Sequence, residues 1–272
     1  MAETAVTLLD QIIAARRDRL AETRDRVPLE VVQRRAEARS ERRDLAAAIS
    51  GVELRIIAEL KRASPRRGLL RRHYRRRELA QGYEYAGASA LSVLTEEQFF
   101  LGSLKDLTQA REAVELPVLR KDFILDDYQV YESVAAGADA LLLIVAVLSD
   151  QDLRNLIKLC QLLRIAALLE IHSEQELERA LVAGATMVGV NNRDLRTMQV
   201  DLETSFWLRR KIPSSCITVS ESGIKTADEL IRLAQAGFNA ALIGERLLER
   251  EDPGQELAEL LGEARELVRP RA

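Results

Sequence analysis

Cysteine, histidine and aromatic residues are scarce in this sequence of 272 residues. It contains two cysteines, Cys160 and Cys216, and two histidines, His73 and His172. Two cysteines are too few for a disulfide framework or a zinc site, so we expect a reducing compartment, the cytoplasm. No group of His, Asp and Glu residues has metal-ligand spacing, so we expect no metal ion.

Long apolar runs and a strong net charge are also missing. The longest apolar runs, such as 138–148, fall short of the roughly 20 residues that a membrane-spanning helix needs. The net charge is −3, which gives no general attraction to nucleic acid or to an anionic membrane. The first residues include Glu3 and Asp10 and lack the basic-then-apolar pattern of a signal peptide. We therefore expect neither a membrane nor a nucleic acid as partner.

Four Ala-Gly segments recur along the chain, with their glycines at Gly87, Gly137, Gly184 and Gly237. Each follows an amphipathic stretch and precedes an apolar run, and glycine suits the left-handed backbone that ends a helix. The spacing of roughly 50 residues corresponds to two strand–helix units of about 25 residues each, as in a (β/α)8 barrel.

Eight short apolar runs occupy the gaps and are typical of buried parallel strands. We predict strands at 55–60, 90–94, 117–121, 140–145, 166–170, 187–191, 217–220 and 240–243. Helical patterns alternate with them, with Ser173 and Thr226 as N-caps and Glu176 at capping-box spacing from Ser173. The alternation predicts an α/β fold, a single (β/α)8 TIM barrel. An open doubly wound sheet is the alternative, although no GxGxxG follows the first strand.

Residues 1–50 precede the first strand. Helical spacing runs from Val6 to Arg26, Val27-Pro28 interrupts it, and a second helix is predicted from Leu29 to Ile49. We expect an N-terminal helical extension over 1–50, attached to a barrel over 51–272, as one domain overall.

Charged or amide side chains stand where five of the strands end, and these are Glu59 with Lys61, Lys121, Glu170, Asn191 and Glu221. Side chains alternate along a strand, so Glu59 and Lys61 point to the same face. Because a buried unpaired charge is costly, a ring of such residues at strand ends predicts an active site.

Eight arginines fall between Arg62 and Arg77. This basic stretch has three interpretations: a loop that attracts an anionic substrate, an arm that binds nucleic acid, or a solvated loop and helix face. The strand-end charges favour a small-molecule site over a nucleic-acid module.

Seven motifs together resemble the indole-3-glycerol-phosphate synthase family. They are IAELKRASP (57–65), LSVLTE (91–96), PVLRKDFI (117–124), LLEIH (168–172), GVNNRDL (189–195), SESGI (220–224) and LIGE (242–245). One such motif is weak, but seven in register are specific, and the N-terminal extension is also similar. The chain departs from the family at Arg66-Arg67-Gly68, where the family usually has Ser-Lys or Ser-Arg before the glycine.

The resemblance implies an enzyme of tryptophan biosynthesis. The family converts 1-(2-carboxyphenylamino)-1-deoxyribulose 5-phosphate into indole-3-glycerol phosphate, carbon dioxide and water, without a cofactor. It implies that the catalytic residues are Lys121, Glu170, Lys61, Glu59, Asn191 and Glu221. It implies that Ser64, Arg193, Ser222, Gly223, Gly244, Glu245, Phe100, Phe123, Leu142 and Leu195 bind the substrate. We expect a monomer that makes transient contact with other enzymes of the pathway.

The resemblance also suggests what the residues do. Lys121 is the expected general acid, with a pKa lowered by neighbouring cations, and Glu170 is the expected base for the dehydration. For Glu59 and Glu170 the alternative is an ion pair that only orients a lysine. Glu221 is expected to position a lysine or a sugar hydroxyl, with a purely structural role as the alternative. The phosphate is expected at the loops after strands seven and eight, with the Glu245 side chain turned away from it. The two phenylalanines and two leucines would form an apolar wall for the anthranilate ring.

Two other functions compete with this one. Phosphoribosylanthranilate isomerase is also a phosphate-binding barrel, but that family expects a cysteine at the end of the first strand, and Cys160 falls in a predicted helix. A non-catalytic barrel or arginine-rich binding protein would not need Lys121, Glu170 and Asn191 together.

Overall fold

The computed structural model describes residues 6–268, in which eight parallel strands close into a barrel. The strands are β1 (Arg55–Leu60), β2 (Ala90–Leu94), β3 (Val118–Lys121), β4 (Ala140–Ile144), β5 (Ala166–Ile171), β6 (Met187–Asn191), β7 (Ile217–Glu221) and β8 (Ala240–Ile243). Each strand pairs with the next in the chain, and β8 closes onto β1 with Arg55 opposite Ala240. The predicted TIM barrel is therefore confirmed, and the open sheet is excluded.

Among the described residues, three helices precede β1, and the others alternate with the strands around the outside of the barrel. The helices are α1 (Leu8–Arg26), α2 (Leu29–Ala38), α3 (Leu45–Ile49), α4 (Arg76–Tyr85), α5 (Leu104–Ala113), α6 (Asp127–Ala136), α7 (Asp150–Leu162), α8 (Glu174–Ala183), α9 (Glu203–Arg209), α10 (Ala227–Gln235), α11 (Glu245–Leu248) and α12 (Pro253–Val268). A short antiparallel hairpin, which the sequence did not predict, pairs 63–64 with 68–69 after β1. Within residues 6–268, no helix has the length and apolarity needed to cross a membrane.

The prediction of one helix from Leu29 to Ile49 is wrong. The helix stops at Ala38, and an extended segment leads to α3, which Asp44 caps. The extension brings Arg39 and Arg43 onto Asp139, whose Oδ1 lies 2.7 Å from the Arg39 guanidinium and 3.1 Å from the Arg43 N–H. These charge-assisted hydrogen bonds satisfy the buried carboxylate of Asp139. They stabilise the extended backbone of this segment more than continuation of the helix would.

The predicted helix ends agree with the structure. The four repeat glycines have φ between 83° and 105°, and Thr226 forms a reciprocal capping box with Glu229. Of the two hydrogen bonds in the capping box predicted at Ser173, one forms and the other does not. The Ser173 hydroxyl accepts the Glu176 N–H, but the Glu176 carboxylate accepts the His172 N–H instead of that of Ser173.

The strands pack on both faces, which explains their continuous apolar sequences. One set of side chains, including Ile57, Leu119, Leu168 and Val219, fills the inside of the barrel. The alternate set packs between the strands and the helices. Two residues further along each of these strands, the next inward-facing positions are Glu59, Lys121, Glu170 and Glu221. The fold therefore places these four charges together at one end of the barrel interior.

Candidate active site

A cleft of about 1050 Å³ opens at the carboxyl ends of the strands, which is where TIM barrels carry their active sites. All the predicted site residues except Glu221 line this cleft. Glu221 is fully buried beneath it, behind Lys121. The residues predicted at the strand ends therefore lie around one continuous cavity, and their roles stay a prediction.

Lys121 is surrounded by carboxylates at the floor of the cleft. Its Nζ donates a hydrogen bond to Glu221 Oε2 and lies 3.5 Å from Glu170 Oε2. Burial alone would lower the pKa of Lys121, but Glu221, Glu170 and Glu59 together raise it above its ordinary value. The expectation of a lowered pKa is therefore wrong, because the neighbours of Lys121 are anions.

Glu170 stands between two cations. Its Oε2 faces Lys121, and its Oε1 lies 3.4 Å from His172 Nε2. Burial would raise the pKa of Glu170, but Lys121 and His172, with a hydrogen bond from Asn191, lower it to about 2. His172 was not predicted as a site residue. It directly follows β5, two residues after Glu170, and continues the alternation of the strand, so that its side chain turns to the same side as that of Glu170.

Glu59 and Lys61 form an ion pair on the inward face of the end of β1, with Nζ 2.5 Å from Oε1. Burial opposes ionisation of Glu59, yet Lys61 and Lys121 lower its pKa. Gly244 makes room for this carboxylate, since a Cβ at Gly244 would lie 2.8 Å from the Cβ of Glu59. A carbon–carbon contact is normally 3.5–4.0 Å, so only glycine fits there.

Glu221 is the least accessible member of the site. Its Oε1 has no hydrogen-bond partner among the described residues and faces Gly189, whose missing side chain leaves room for it. Burial, together with the negative charges of Glu170 and Glu59, raises the pKa of Glu221 to about 7, although Lys121 opposes this rise.

Arg193 and Arg67 hold Glu245 across the mouth of the cleft. The Arg193 guanidinium lies 3.0 Å from Glu245 Oε2, and the Arg67 Nε lies 3.0 Å from Glu245 Oε1. Arg67 also pairs with Glu249. The Glu245 side chain lines the cleft, because two arginines converge on it; that it turns away from a bound phosphate stays a prediction.

The loops after β7 and β8 come together at one side of the cleft. Ser222 and Gly223 have φ of 68° and 83°, so two successive left-handed residues turn the chain sharply there. The Arg246 Nε donates to the Lys225 carbonyl at 3.1 Å and ties the two loops. Left-handed backbone at a non-glycine residue is uncommon and is often found at functional sites.

An apolar wall faces the charged floor. The rings of Phe100 and Phe123 lie 6.4 Å apart, and Leu142 and Leu195 line the cavity with them. Glu96 builds the loop that carries Phe100, since its carboxylate accepts the N–H groups of Gln98, Phe99 and Phe100 at 2.7–2.9 Å. The sequence analysis gave Glu96 no role.

Helix α1 completes the wall with Leu8, Leu9 and Ile12. Arg16 anchors it through Asp122, at 2.8 Å, beside Lys121, and Arg19 contacts Glu97 at 2.6 Å. The N-terminal helix is thus part of the site, whereas the sequence analysis treated it as an appendage.

The basic stretch is largely paired within the protein. Arg76 pairs with Asp106, Arg77 with Glu112, and Arg71 donates to backbone carbonyls of 250–251. Arg66 and Arg67 line the cleft, as does Ser64 at the end of β1. The interpretation as a solvated loop and helix face fits most of these arginines.

Cys160 lies buried on α7, on the outside of the barrel. Burial raises the pKa of its thiol to about 12, so this cysteine is neither placed nor charged for the acid–base role that the isomerase would require.

Comparison with known proteins shows which family this chain resembles. The model for indole-3-glycerol phosphate synthase matches residues 9–260. The protein of that name from Polaromonas naphthalenivorans (strain CJ2) is 45% identical over 260 residues, covering 94% of this chain and 99% of that protein. The one from Chloroherpeton thalassium is 47% identical over 250 residues, covering 90% and 96%.

Solved structures with the same architecture are more distant. Thiamine phosphate pyrophosphorylase from Pyrococcus furiosus has a TM-score of 0.57 and 16% identity, covering 79% of this chain and 98% of that chain. A mandelate oxidase variant with benzaldehyde has a TM-score of 0.60 and 17% identity, covering 87% and 83%. At these identities the likeness concerns the fold alone.

Proposed function

Because the chain belongs to the indole-3-glycerol phosphate synthase family, we propose that its cleft closes the indole ring of 1-(2-carboxyphenylamino)-1-deoxyribulose 5-phosphate. The products are indole-3-glycerol phosphate, one carbon dioxide and one water. The observation that carries the proposal is the meeting of Lys121, Glu170, Asn191 and the Glu59–Lys61 pair at the floor of one cleft. An apolar wall stands opposite this floor.

Lys121 is the general acid for ring closure. As the ring carbon that carries the carboxylate attacks the ketone, the ketone oxygen develops negative charge and takes a proton from the ammonium. The raised pKa keeps Lys121 protonated at neutral pH, and the developing alkoxide is basic enough to accept that proton. Glu221, hydrogen-bonded to Nζ, orients the ammonium from below.

The substrate carboxylate is bound next to Ser64 and Arg193 and is then lost as carbon dioxide. A guanidinium fork suits a carboxylate, and the substrate carboxylate can replace Glu245 as the partner of Arg193, 3.0 Å away. Phe100, Phe123, Leu142 and Leu195 enclose the aromatic ring. Their exclusion of water favours loss of the charged carboxylate.

Glu170 is the base for the dehydration. Its low pKa keeps it ionised, so it can accept the ring proton while the hydroxyl at the former ketone carbon leaves as water. Asn191 can both donate and accept a hydrogen bond and holds that hydroxyl. Lys61, oriented by Glu59, contacts the substrate and donates the proton with which the hydroxyl leaves as water. The proton taken by Glu170 returns to Lys121, 3.5 Å away, and solvent reprotonates Lys61.

The phosphate binds at Ser222, Gly223, Gly244 and Glu245. Glycines let backbone N–H groups approach an anion closely, and the bond from Arg246 to the Lys225 carbonyl holds the two loops together. The backbone of Glu245 serves the phosphate, while its carboxylate keeps Arg67 as a partner when the substrate carboxylate takes its place at Arg193.

A single chain supplies every one of these groups, which supports a monomer working in the cytoplasm, with transient contact to other enzymes of tryptophan biosynthesis. The partner of the cleft in this proposal is a small phosphorylated molecule.

A fluorescence assay tests the proposal, because the indole product fluoresces where the substrate does not. We expect turnover by the wild type without added metal or cofactor, and a loss of about 10²- to 10⁴-fold in Lys121→Ala, the range of a general acid. Lys158→Ala, at an exposed lysine on α7, is the matched control and should retain full activity. Folded wild-type protein without turnover, or an active Lys121→Ala variant, would contradict the proposal.

A further inference from the structure

The side chains of His172 and Glu176 lie directly behind Glu170, and neither lines the cleft. His172 Nε2 is 3.4 Å from Glu170 Oε1, and His172 Nδ1 is 3.1 Å from Glu176 Oε2. The His172 side chain is 14% exposed and that of Glu170 is 2% exposed. The three groups therefore form a mostly buried chain that ends at the proposed base.

Glu176 is itself held in place at the start of α8. Its Oε2 accepts the His172 N–H at 2.8 Å, and its own N–H donates to the Ser173 hydroxyl at 3.2 Å. Because backbone and ring of His172 both bond the same carboxylate oxygen, the imidazole has little freedom to rotate. A side chain can orient its neighbour only if its own position is fixed, and the imidazole of His172 meets this condition.

The two oxygens of Glu170 have different partners. Oε1 faces His172, and Oε2 faces Lys121 at 3.5 Å on the side of the cleft. Cations at both oxygens fix the plane of the carboxylate. A base that is misplaced by about 1 Å can lose about 10²-fold in rate, so this fixation matters for catalysis.

We propose that His172, held by Glu176, is a positioning residue that sets the orientation of the Glu170 carboxylate for proton removal. The inference rests on the proposed function, which gives Glu170 the role of base. His172 exchanges no proton with the substrate in this scheme and acts only through Glu170.

The charges around His172 agree with this role. Glu170 on β5 and Glu176 on α8 face its two nitrogens, Lys121 on β3 lies beyond Glu170, and Asp194 after β6 is near enough for its pKa to be lowered by His172. Burial would lower the pKa of His172, but the two glutamates raise it to about 10. At neutral pH the ring is therefore an imidazolium, which bonds Glu176 through Nδ1 and faces Glu170 through Nε2 as an ion pair, 3.4 Å away and outside hydrogen-bond geometry.

Four variants separate positioning from a purely structural role. His172→Phe keeps a ring and removes both donors, His172→Gln restores one neutral donor, and Glu176→Gln weakens the anchor. Glu178→Gln makes the same change at an exposed position of α8 and is the matched control. Steady-state kinetics across pH and urea unfolding are measured for each variant.

We expect kcat to fall about 10- to 100-fold in His172→Phe, with KM little changed because His172 does not line the cleft. His172→Gln should recover part of the loss, and Glu178→Gln should match the wild type. Without its cationic partner the pKa of Glu170 rises, so the acid limb of kcat should move up by about 1 to 3 pH units. An unchanged kcat and pH profile, or a loss that follows only the fraction of unfolded protein, would overturn the proposal.

Nuclear magnetic resonance separates failure of this inference from failure of the proposed function. His73→Gln leaves His172 as the only histidine, so its imidazole nitrogens give isolated signals. Glu170→Gln should lower the pKa of His172 whether or not the protein is a synthase. If that pKa does not change, the contact and the inference are wrong; if it falls while wild-type protein forms no indole product, only the proposed function is wrong.

Discussion

Gly244→Ala tests how tightly the end of β8 is packed against the site. The added methyl group would lie 2.8 Å from the Cβ and 2.9 Å from the Cδ of Glu59, about 0.6 Å or more inside a normal carbon–carbon contact. The Cβ of Glu59 is the root of its side chain and cannot rotate away. β1 or β8 must therefore shift, and Glu59 and Lys61 must shift with it.

The expected cost has two parts. Overpacking a buried site typically lowers the free energy of unfolding by about 1–3 kcal/mol, and displacing the pair by about 1 Å can lower kcat/KM by about 10²-fold. Gly244 has a φ of −135°, which is outside the left-handed region, so backbone strain does not add to this cost. Urea unfolding and the indole fluorescence assay measure the two parts separately.

Gly262→Ala is the matched control, because a Cβ at Gly262 on α12 meets no atom within 4 Å. Replacing a glycine inside a helix by alanine should raise the free energy of unfolding by about 0.5–1 kcal/mol and leave activity unchanged. If Gly244→Ala had the stability and the kcat/KM of the wild type, the steric account of Glu59 would be refuted.

Two further predictions concern charge. Ser222→Glu should raise the KM for the phosphorylated substrate by like-charge repulsion at the phosphate loops, and Ser222→Ala, which keeps a side chain at the same φ of 68°, should not; equal KM values would place the phosphate elsewhere. The pKa of His172 rises from 6.5 to about 10 on folding, so its contribution to stability is fully present below pH 6.5 and is lost as pH approaches 10. The contribution is on the order of a few kcal/mol, at about 1.4 kcal/mol per pKa unit. Urea unfolding at pH 6 and pH 10 should show a smaller loss in His172→Gln than in the wild type, and equal losses would contradict the assigned shift.

Local patterns predicted the barrel well. The four Ala-Gly segments and the apolar runs depend on short-range rules for helix ends and buried strands, and the structure has strands at all eight positions. The strand-end residues were found for the same reason, since alternation along a strand fixes the face of Glu59, Lys121, Glu170 and Glu221.

Contacts between distant parts of the chain were not predictable. Arg16 reaches Asp122 across 106 residues, and no local pattern announces that α1 will close the wall of the cleft. The break after Ala38 depends on Asp139, which is just as far away in sequence. The direction of the pKa shift of Lys121 depends on Glu221 and Glu170, from two other strands.

The roles of His172 and Glu96, unlike these long-range contacts, were indicated by local sequence patterns. His172 follows Glu170 at the two-residue spacing of a strand, and Glu96 belongs to a motif that also carries β2. His172 is the first residue after β5, and Glu96 is the second after β2. The prediction took Glu170 as the charge at the end of β5 and no residue from the end of β2, so it passed over both.

The most direct test of the central claim is the product stoichiometry of the purified protein. Indole fluorescence and released carbon dioxide should be measured in the same reaction with the carboxyphenylamino-deoxyribulose phosphate. Ring closure at the Lys121–Glu170 floor predicts one indole product and one carbon dioxide for each substrate consumed, and formation of both about 10²- to 10⁴-fold more slowly by Lys121→Ala. Consumption of substrate without carbon dioxide, or carbon dioxide without the indole product, would contradict the account.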